Sequence, residues 1–135
     1  MRVKRIRNTP ENEKGQSLVE FALVVPLLLL LVIGIAEFGR AWMAKNILTG
    51  AAREAVRVLA VPDPPGGVSA ATTRANQILT SAGITTAALS IDDATAPFGD
   101  VTVTVRYNFP VVIAGFIPGF DTILLTSTTT MRREY

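Results

Sequence analysis

The sequence of 135 residues contains no cysteine and no histidine. The chain therefore has no disulfide and no thiolate nucleophile, and most zinc and copper sites are excluded as well. It also lacks the G-x-x-x-x-G-K-[ST] phosphate loop, the nucleophile elbow and any histidine-bearing triad. We expect a protein that is not an enzyme, that needs no cofactor and that is held together by packing.

Charge is missing from the sixteen residues 21–36. As a helix this run would span about 24 Å, and apolar neighbours on both sides bring it near the ~30 Å of a bilayer core. We therefore predict a transmembrane segment at about residues 18–38. Residues 1–15 carry a net charge of +3 and the rest −1, so the positive-inside rule places the N-terminus in the cytoplasm. Because the basic charge is confined to this tail, we expect no nucleic-acid binding.

The stretch KGQSLVEF, residues 14–21, places a carboxylate at the edge of the apolar run. A glycine behind basic residues, then four residues, then Glu20 and a continuous apolar helix, resembles the prepilin leader of type IV-related pilins. In that family a membrane aspartyl peptidase cuts after the glycine, which implies cleavage between Gly15 and Gln16. The resemblance thus implies a cleaved leader over residues 1–15.

Two further stretches narrow the resemblance. EFGRAWMAKNILTGAAREAVR (residues 37–57) and STTTMRREY (residues 127–135) resemble the TadE-like pseudopilins of the tight-adherence (Tad) pilus and secretion system. Phe21 follows Glu20 where the major pilins of that system usually have tyrosine, which favours a minor pilin-like component. The implied partners are the prepilin peptidase, other pilin-like subunits, and an inner-membrane assembly platform with its ATPase, together with the lipid bilayer.

Glu20 also has a physical interpretation that is independent of the family. Cleavage before Gln16 would create an α-ammonium with a reference pKa of about 7.7–8.0. Residues four apart on a helix face each other, so this ammonium can pair with Glu20 of the same chain or of a neighbour. We hypothesise that cleavage permits assembly by creating this pair. The alternative is that Glu20 simply reaches the cytoplasmic headgroups.

Residues 37–61 continue the helical period with an amphipathic stripe rich in small residues. This stripe either packs against the chain's own domain or contacts another subunit. The candidate subunit contacts are Ala51, Ala52 and Ala55 here, Phe21 and Pro26 in the membrane segment, and Phe116 and Ile117 further on.

The second half predicts a small domain. PDPPGG at 62–67 ends the long helix, and a second helix is predicted over about 70–82, capped by Ser69 and stopped by Gly83. Strands are predicted at 87–91, 100–109 and 122–134, with a hairpin loop at 92–100. The expected fold is α+β and pilin-like: a long helix over 16–61 and an extracytoplasmic domain over 62–135 whose three-stranded antiparallel meander covers the outer half of that helix.

Two segments leave alternatives open. The connection PVVIAGFIPGF, residues 110–120, is apolar for a loop, and it either plugs the core or presents Val112, Ile113, Phe116 and Ile117 to a neighbour or to the outer membrane leaflet. Asp92, Asp93, Asp100 and Asp121 favour turns and solubility, and calcium binding is the alternative.

The expected location is the cytoplasmic membrane, as a single-pass protein with its C-terminal domain outside, and the pilus after processing. Two other functions compete with the pilin-like one. An uncleaved, membrane-anchored extracytoplasmic binding module would keep its basic leader and would not need Glu20. A membrane-tethered enzyme would need a catalytic constellation, for which the sequence offers no motif.

Overall fold

The computed structural model describes residues 10–61, 66–93, 99–112, 119 and 121–133, with the backbone alone for residues 10–14 and 93. Two helices are followed by three strands. The chain divides into two compact units, Met1–Ala36 and Glu37–Tyr135.

Helix α1 comprises Pro10–Ala60 and continues through Pro26. The predicted start at Gln16 is the start of the cleaved chain, whereas the helix of the full chain begins at Pro10. Proline suits the first helical position because the amide hydrogen that it lacks would have no intrahelical partner there. The helix ends at Ala60, just before the proline- and glycine-rich segment, of which residues 62–65 lie outside the described part.

Helix α2 comprises Gly67–Ser81, three residues earlier at its start than predicted, and the predicted cap at Ser69 is wrong. The N-cap is Gly66, in the left-handed conformation (φ +80°) and without a side-chain cap. Gly67 also has a positive φ (+51°), so two glycines turn the chain into the helix before Ser69 is reached.

The end of α2 is a Schellman motif, and the predicted stop at Gly83 is confirmed. Gly83 has φ +77°, and its N–H donates to the carbonyl of Thr80 at 2.9 Å. The N–H of Ile84 donates to the carbonyl of Leu79, also at 2.9 Å. Both Ile84 and Leu79 are buried, which adds the hydrophobic contact that accompanies this motif.

The sheet consists of β1 (Ala88–Asp93), β2 (Asp100–Pro110) and β3 (Thr122–Arg132), in the order β1-β2-β3 with both pairings antiparallel. The predicted meander is therefore confirmed. β1 runs to Asp93, two residues into the predicted hairpin loop, because Asp92 and Asp93 pair with Thr102 and Val101.

A single core joins the second half of α1, helix α2 and the inner face of the sheet. Val101, Val103 and Val105 are buried, whereas Thr102 and Thr104 lie on the other face and form hydroxyl hydrogen bonds to Thr130 and Thr128. The alternation read from the sequence is confirmed. The largest fully buried side chains are those of Leu48, Val56, Leu59, Leu79 and the three valines.

Candidate functional site: the two halves of helix α1

The predicted cleavage point lies inside α1 on an exposed part of the helix. Gly15 and Gln16 are both exposed, and a Cβ built on Gly15 would meet nothing within 4 Å. The fold therefore does not require glycine at this position. A requirement for glycine at residue 15 would have to come from an interaction outside the described structure.

Glu20 and Gln16 face each other across one helical turn. The side-chain amide of Gln16 donates a hydrogen bond to Oε1 of Glu20 at 3.1 Å. Glu20 is the only charged residue between Gln16 and Ala36, so its carboxylate here has a neutral partner from its own segment. The four-residue spacing noted in the sequence thus brings these two side chains together.

The rest of this first half is apolar on every side. Its leucines, valines and isoleucines are exposed except for the half-buried Val25, as are Phe21 and Pro26, and the helix is long and apolar enough to cross a membrane. A helix that is hydrophobic all round is stable in lipid and costly to expose to water. The first half of α1 therefore fits a single-pass membrane anchor.

In the second half of α1 the small residues are buried, in contrast to the exposed side chains of the first half. Ala51, Ala52 and Ala55 are fully buried in the core of their own domain. Of the two alternatives that the sequence left open for these alanines, the structure therefore favours packing in the chain's own core over contact with another subunit. Phe116 and Ile117 lie outside the described residues, as does Ile113.

A polar contact that the sequence did not suggest fixes β3 to α1. Lys45 Nζ donates to the backbone carbonyl of Thr126. One turn further on, the hydroxyls of Thr49 and Ser127 lie 2.9 Å apart, and Thr49 Oγ1 also donates to the carbonyl of Lys45 at 2.9 Å. Among the residues that the structure describes, Ser127 is the one polar residue that is buried, so this pair satisfies hydroxyls that would otherwise be costly to bury. Such a pair, 78 residues apart in sequence, leaves no local signal.

The turn of α1 that follows the apolar run binds the end of the sheet. Glu37 accepts the N–H of Val112 at 3.3 Å through Oε2 and pairs with Arg40 at 2.5 Å through Oε1. The Arg40 guanidinium lies 5.1 Å from the centre of the Phe109 ring, a cation–π contact. The described base of the 110–120 connection is closed by Val111 N–H, which donates to the carbonyl of Asp121 at 3.2 Å.

A cluster of charged side chains around Glu54 links α1 to α2. Glu54 accepts hydrogen bonds from Arg57 at 2.9 and 3.1 Å and from Arg74 at 3.2 Å. The hydrogen bonds from Arg57, and then those from Arg74, lower the pKa of Glu54 below its ordinary value. The same contacts raise the pKa of Arg57.

Within the described residues, no three acidic side chains come together in a way that could hold a metal ion. A shallow depression on α2 is lined by Thr73, Asn76, Gln77, Thr80 and Ser81. Because these side chains come from one helix and face solvent, they offer no set of converging catalytic groups.

The described residues thus combine an exposed apolar half-helix, which fits a single membrane anchor, with a small α+β domain. Comparison with known families gives one match: the family model described as "TadE-like protein" matches residues 15–57, and this part of the chain is similar to that family. The resemblance drawn from the sequence is thereby confirmed over residues 15–57, whereas that of residues 127–135 is not covered by the match, and the match supports a pilin-related, structural role in a Tad system. No curated protein and no solved structure matches the chain significantly.

Proposed function

We propose that this chain is a minor pilin or pseudopilin of a Tad-type pilus or secretion apparatus, processed by a prepilin peptidase between Gly15 and Gln16. The observation that carries the proposal is the pairing of Gln16 with Glu20, the only charged residue between Gln16 and Ala36, directly after an exposed glycine. The family match begins at this same glycine.

Cleavage at this bond would change the electrostatic surroundings of Glu20. In the full chain α1 begins at Pro10, so Glu20 is the eleventh residue of the helix. After cleavage the helix would begin at Gln16 and Glu20 would be the fifth residue, next to an α-ammonium and to the free N–H groups of the first turn. Both carry positive charge, and both favour a nearby carboxylate.

The new charge pair supplies a reason for assembly to depend on cleavage. A carboxylate in apolar surroundings is costly unless it is paired, and among the side chains that the structure describes the partner of Glu20 before cleavage is the neutral amide of Gln16. After cleavage the ammonium of its own chain or of a neighbouring subunit becomes available. A neighbouring ammonium would join two subunits within the membrane, which is the step that a filament or its base requires.

The proposed partners follow from the same function. They are the prepilin peptidase, other pilin-like subunits, an inner-membrane platform with its ATPase, and the bilayer itself. The proposed orientation places the leader in the cytoplasm and residues beyond about 38 outside the cytoplasmic membrane, with the filament or its base as the destination.

Processing is tested by intact mass and N-terminal sequencing of the protein from membranes of a host with an active prepilin peptidase. Gly15→Ala is compared with Gly39→Ala, because both glycines lie in α1 and neither leaves a Cβ in contact with any atom within 4 Å. Either change should preserve the helix, since alanine is the better helix former by about 1 kcal/mol.

We expect the wild type and Gly39→Ala to begin at Gln16 and Gly15→Ala to keep its leader. A wild-type protein that keeps residues 1–15 beside an active peptidase would contradict the proposal and would favour the uncleaved binding module. Equal cleavage of Gly15→Ala would show that the peptidase does not select this glycine.

A further inference from the structure

Five exposed apolar side chains lie at one end of the second unit, and we call them the apolar collar: Phe38, Trp42, Val112, Ile123 and Leu124. Their exposed fractions run from 46% for Ile123 to 69% for Phe38, and the two aromatic rings stack with their centres 6.2 Å apart. Neither ring lies in the core, although both continue the helical stripe that the sequence predicts to be buried. They need another explanation.

The contacts of α1 place these side chains at the same end of the domain. Phe38, Trp42, Lys45 and Thr49 are spaced by four, three and four residues and so share one side of the helix. Lys45 and Thr49 reach Thr126 and Ser127, so this side runs along β3. Phe38 and Trp42 therefore lie towards the start of β3, where Ile123 and Leu124 are located.

The same turn of α1 holds Val112, the remaining residue of the apolar collar. Glu37 accepts a hydrogen bond from the N–H of Val112. Arg40 lies over the ring of Phe109, whose cross-strand partner is Ile123. Glu37 is bonded directly to Ala36, the last residue of the apolar run. The collar thus lies at the end of the domain that contains Glu37, its first residue after the membrane anchor.

We propose that the apolar collar lies in the interfacial region of the bilayer that holds residues 18–38, so that the domain rests on the membrane surface. The nearby charges are suited to this depth. Glu37 and Arg40 form an ion pair, and Lys45 donates a hydrogen bond to the backbone carbonyl of Thr126. Tryptophan is enriched at headgroup level, and an apolar face typically enters the interface by about 5–10 Å. Asp121 comes just before β3, and its charge would keep this end of the domain from entering more deeply than the interface. The inference requires the membrane anchor and does not depend on cleavage.

The native protein contains its own probe, because Trp42 is its only tryptophan. The full chain is reconstituted in phosphatidylcholine bilayers, with or without brominated acyl chains, and Trp42 fluorescence is measured. A second probe, Ile123→Trp, is placed in a Trp42→Phe background, and Met131→Trp in the same background is its control. Ile123 and Met131 lie on the same face of β3 with similar exposure, 46% and 40%, about 26 Å apart along the strand.

We expect brominated lipid to lower the emission of Trp42 and of Ile123→Trp by roughly two-fold, since quenching requires a ring at interfacial depth, and to leave Met131→Trp unchanged. Acrylamide in the aqueous phase should show the reverse order. If Ile123→Trp behaves like Met131→Trp, the collar is in water and the proposal fails. Ile123→Trp could instead be shielded from both quenchers, with a shielding that increases with the protein-to-lipid ratio. In that case a second copy of the chain covers the collar, and the proposal fails too. Matching circular dichroism spectra confirm that each variant is folded.

Discussion

The two halves of α1 place similar side chains in opposite surroundings. In the first half Leu28 is 54% exposed, whereas Leu48 in the second half is completely buried. The first half is apolar on all sides, and the second has one apolar stripe of small residues that is covered by the sheet and α2. The two halves of the helix thus suit different surroundings. Residues 18–36 need lipid to pack against, whereas the second half of α1 packs against the chain's own domain.

The carboxylates of the helix show the same division. Glu37 is paired with Arg40, and Glu54 with Arg57 and Arg74, whereas within the described part of the chain Glu20 is paired with the neutral amide of Gln16. The chain itself thus supplies cations to Glu37 and Glu54. For Glu20 a cation has to come from elsewhere, and the new N-terminus is the source that we propose.

The largest expected effect follows from removing that charge. Glu20→Gln keeps the size and hydrogen-bonding capacity of the side chain, so we expect normal cleavage and loss of incorporation into the apparatus, because the ammonium would have no carboxylate partner. Glu54→Gln is the matched control on the same helix, and it should assemble normally. Processing is read from the N-terminal sequence, and incorporation from the protein recovered with sheared filaments or with the cross-linked apparatus. Wild-type incorporation of Glu20→Gln would disprove the role of this carboxylate.

The next effect concerns stability and compares the two leucines. Leu48→Ala removes a fully buried side chain and should destabilise the domain by about 2–5 kcal/mol. Leu28→Ala should leave the unfolding of the domain unchanged, since this side chain touches none of the core. Both are measured by denaturant unfolding of the full chain in a non-ionic detergent. A similar loss for both variants would mean that the two halves of α1 unfold as one structure.

Much of the fold could be predicted because its signals are local. The long apolar run, the alternation of valine with threonine in β2 and the glycine after α2 each need only neighbouring residues to be recognised. The start of α2 could not be placed in this way, because Ser69 is an ordinary cap residue while the two preceding glycines adopt positive φ values that the sequence permits without requiring.

The site was predicted where its residues are close in sequence. Gln16 and Glu20 are one turn apart, and their contact follows from helical geometry. The bond of Lys45 to Thr126 and the pairing of Thr49 with Ser127 depend on how β3 approaches α1, which no local pattern encodes. For the same reason the small residues at 51, 52 and 55 did not reveal whether another subunit or the chain's own sheet would cover them.

The smallest expected effect is the pH dependence of the Glu54 cluster. Hydrogen bonds from Arg57 and Arg74 lower the pKa of Glu54 in the folded protein, so the folded state favours the ionised carboxylate more than the unfolded chain does. Its contribution to stability is therefore complete above the reference glutamate pKa of about 4.3 and is lost as the pH falls through the lower folded value. Because the Glu54 side chain is 22% exposed and its partners more so, solvent screens the cluster and the contribution is small. We expect the unfolding midpoints of the wild type and Glu54→Gln to differ by a constant amount near neutral pH and to converge in acid. A difference that stays constant throughout the acid range would show that Glu54 acts through packing and not through its charge.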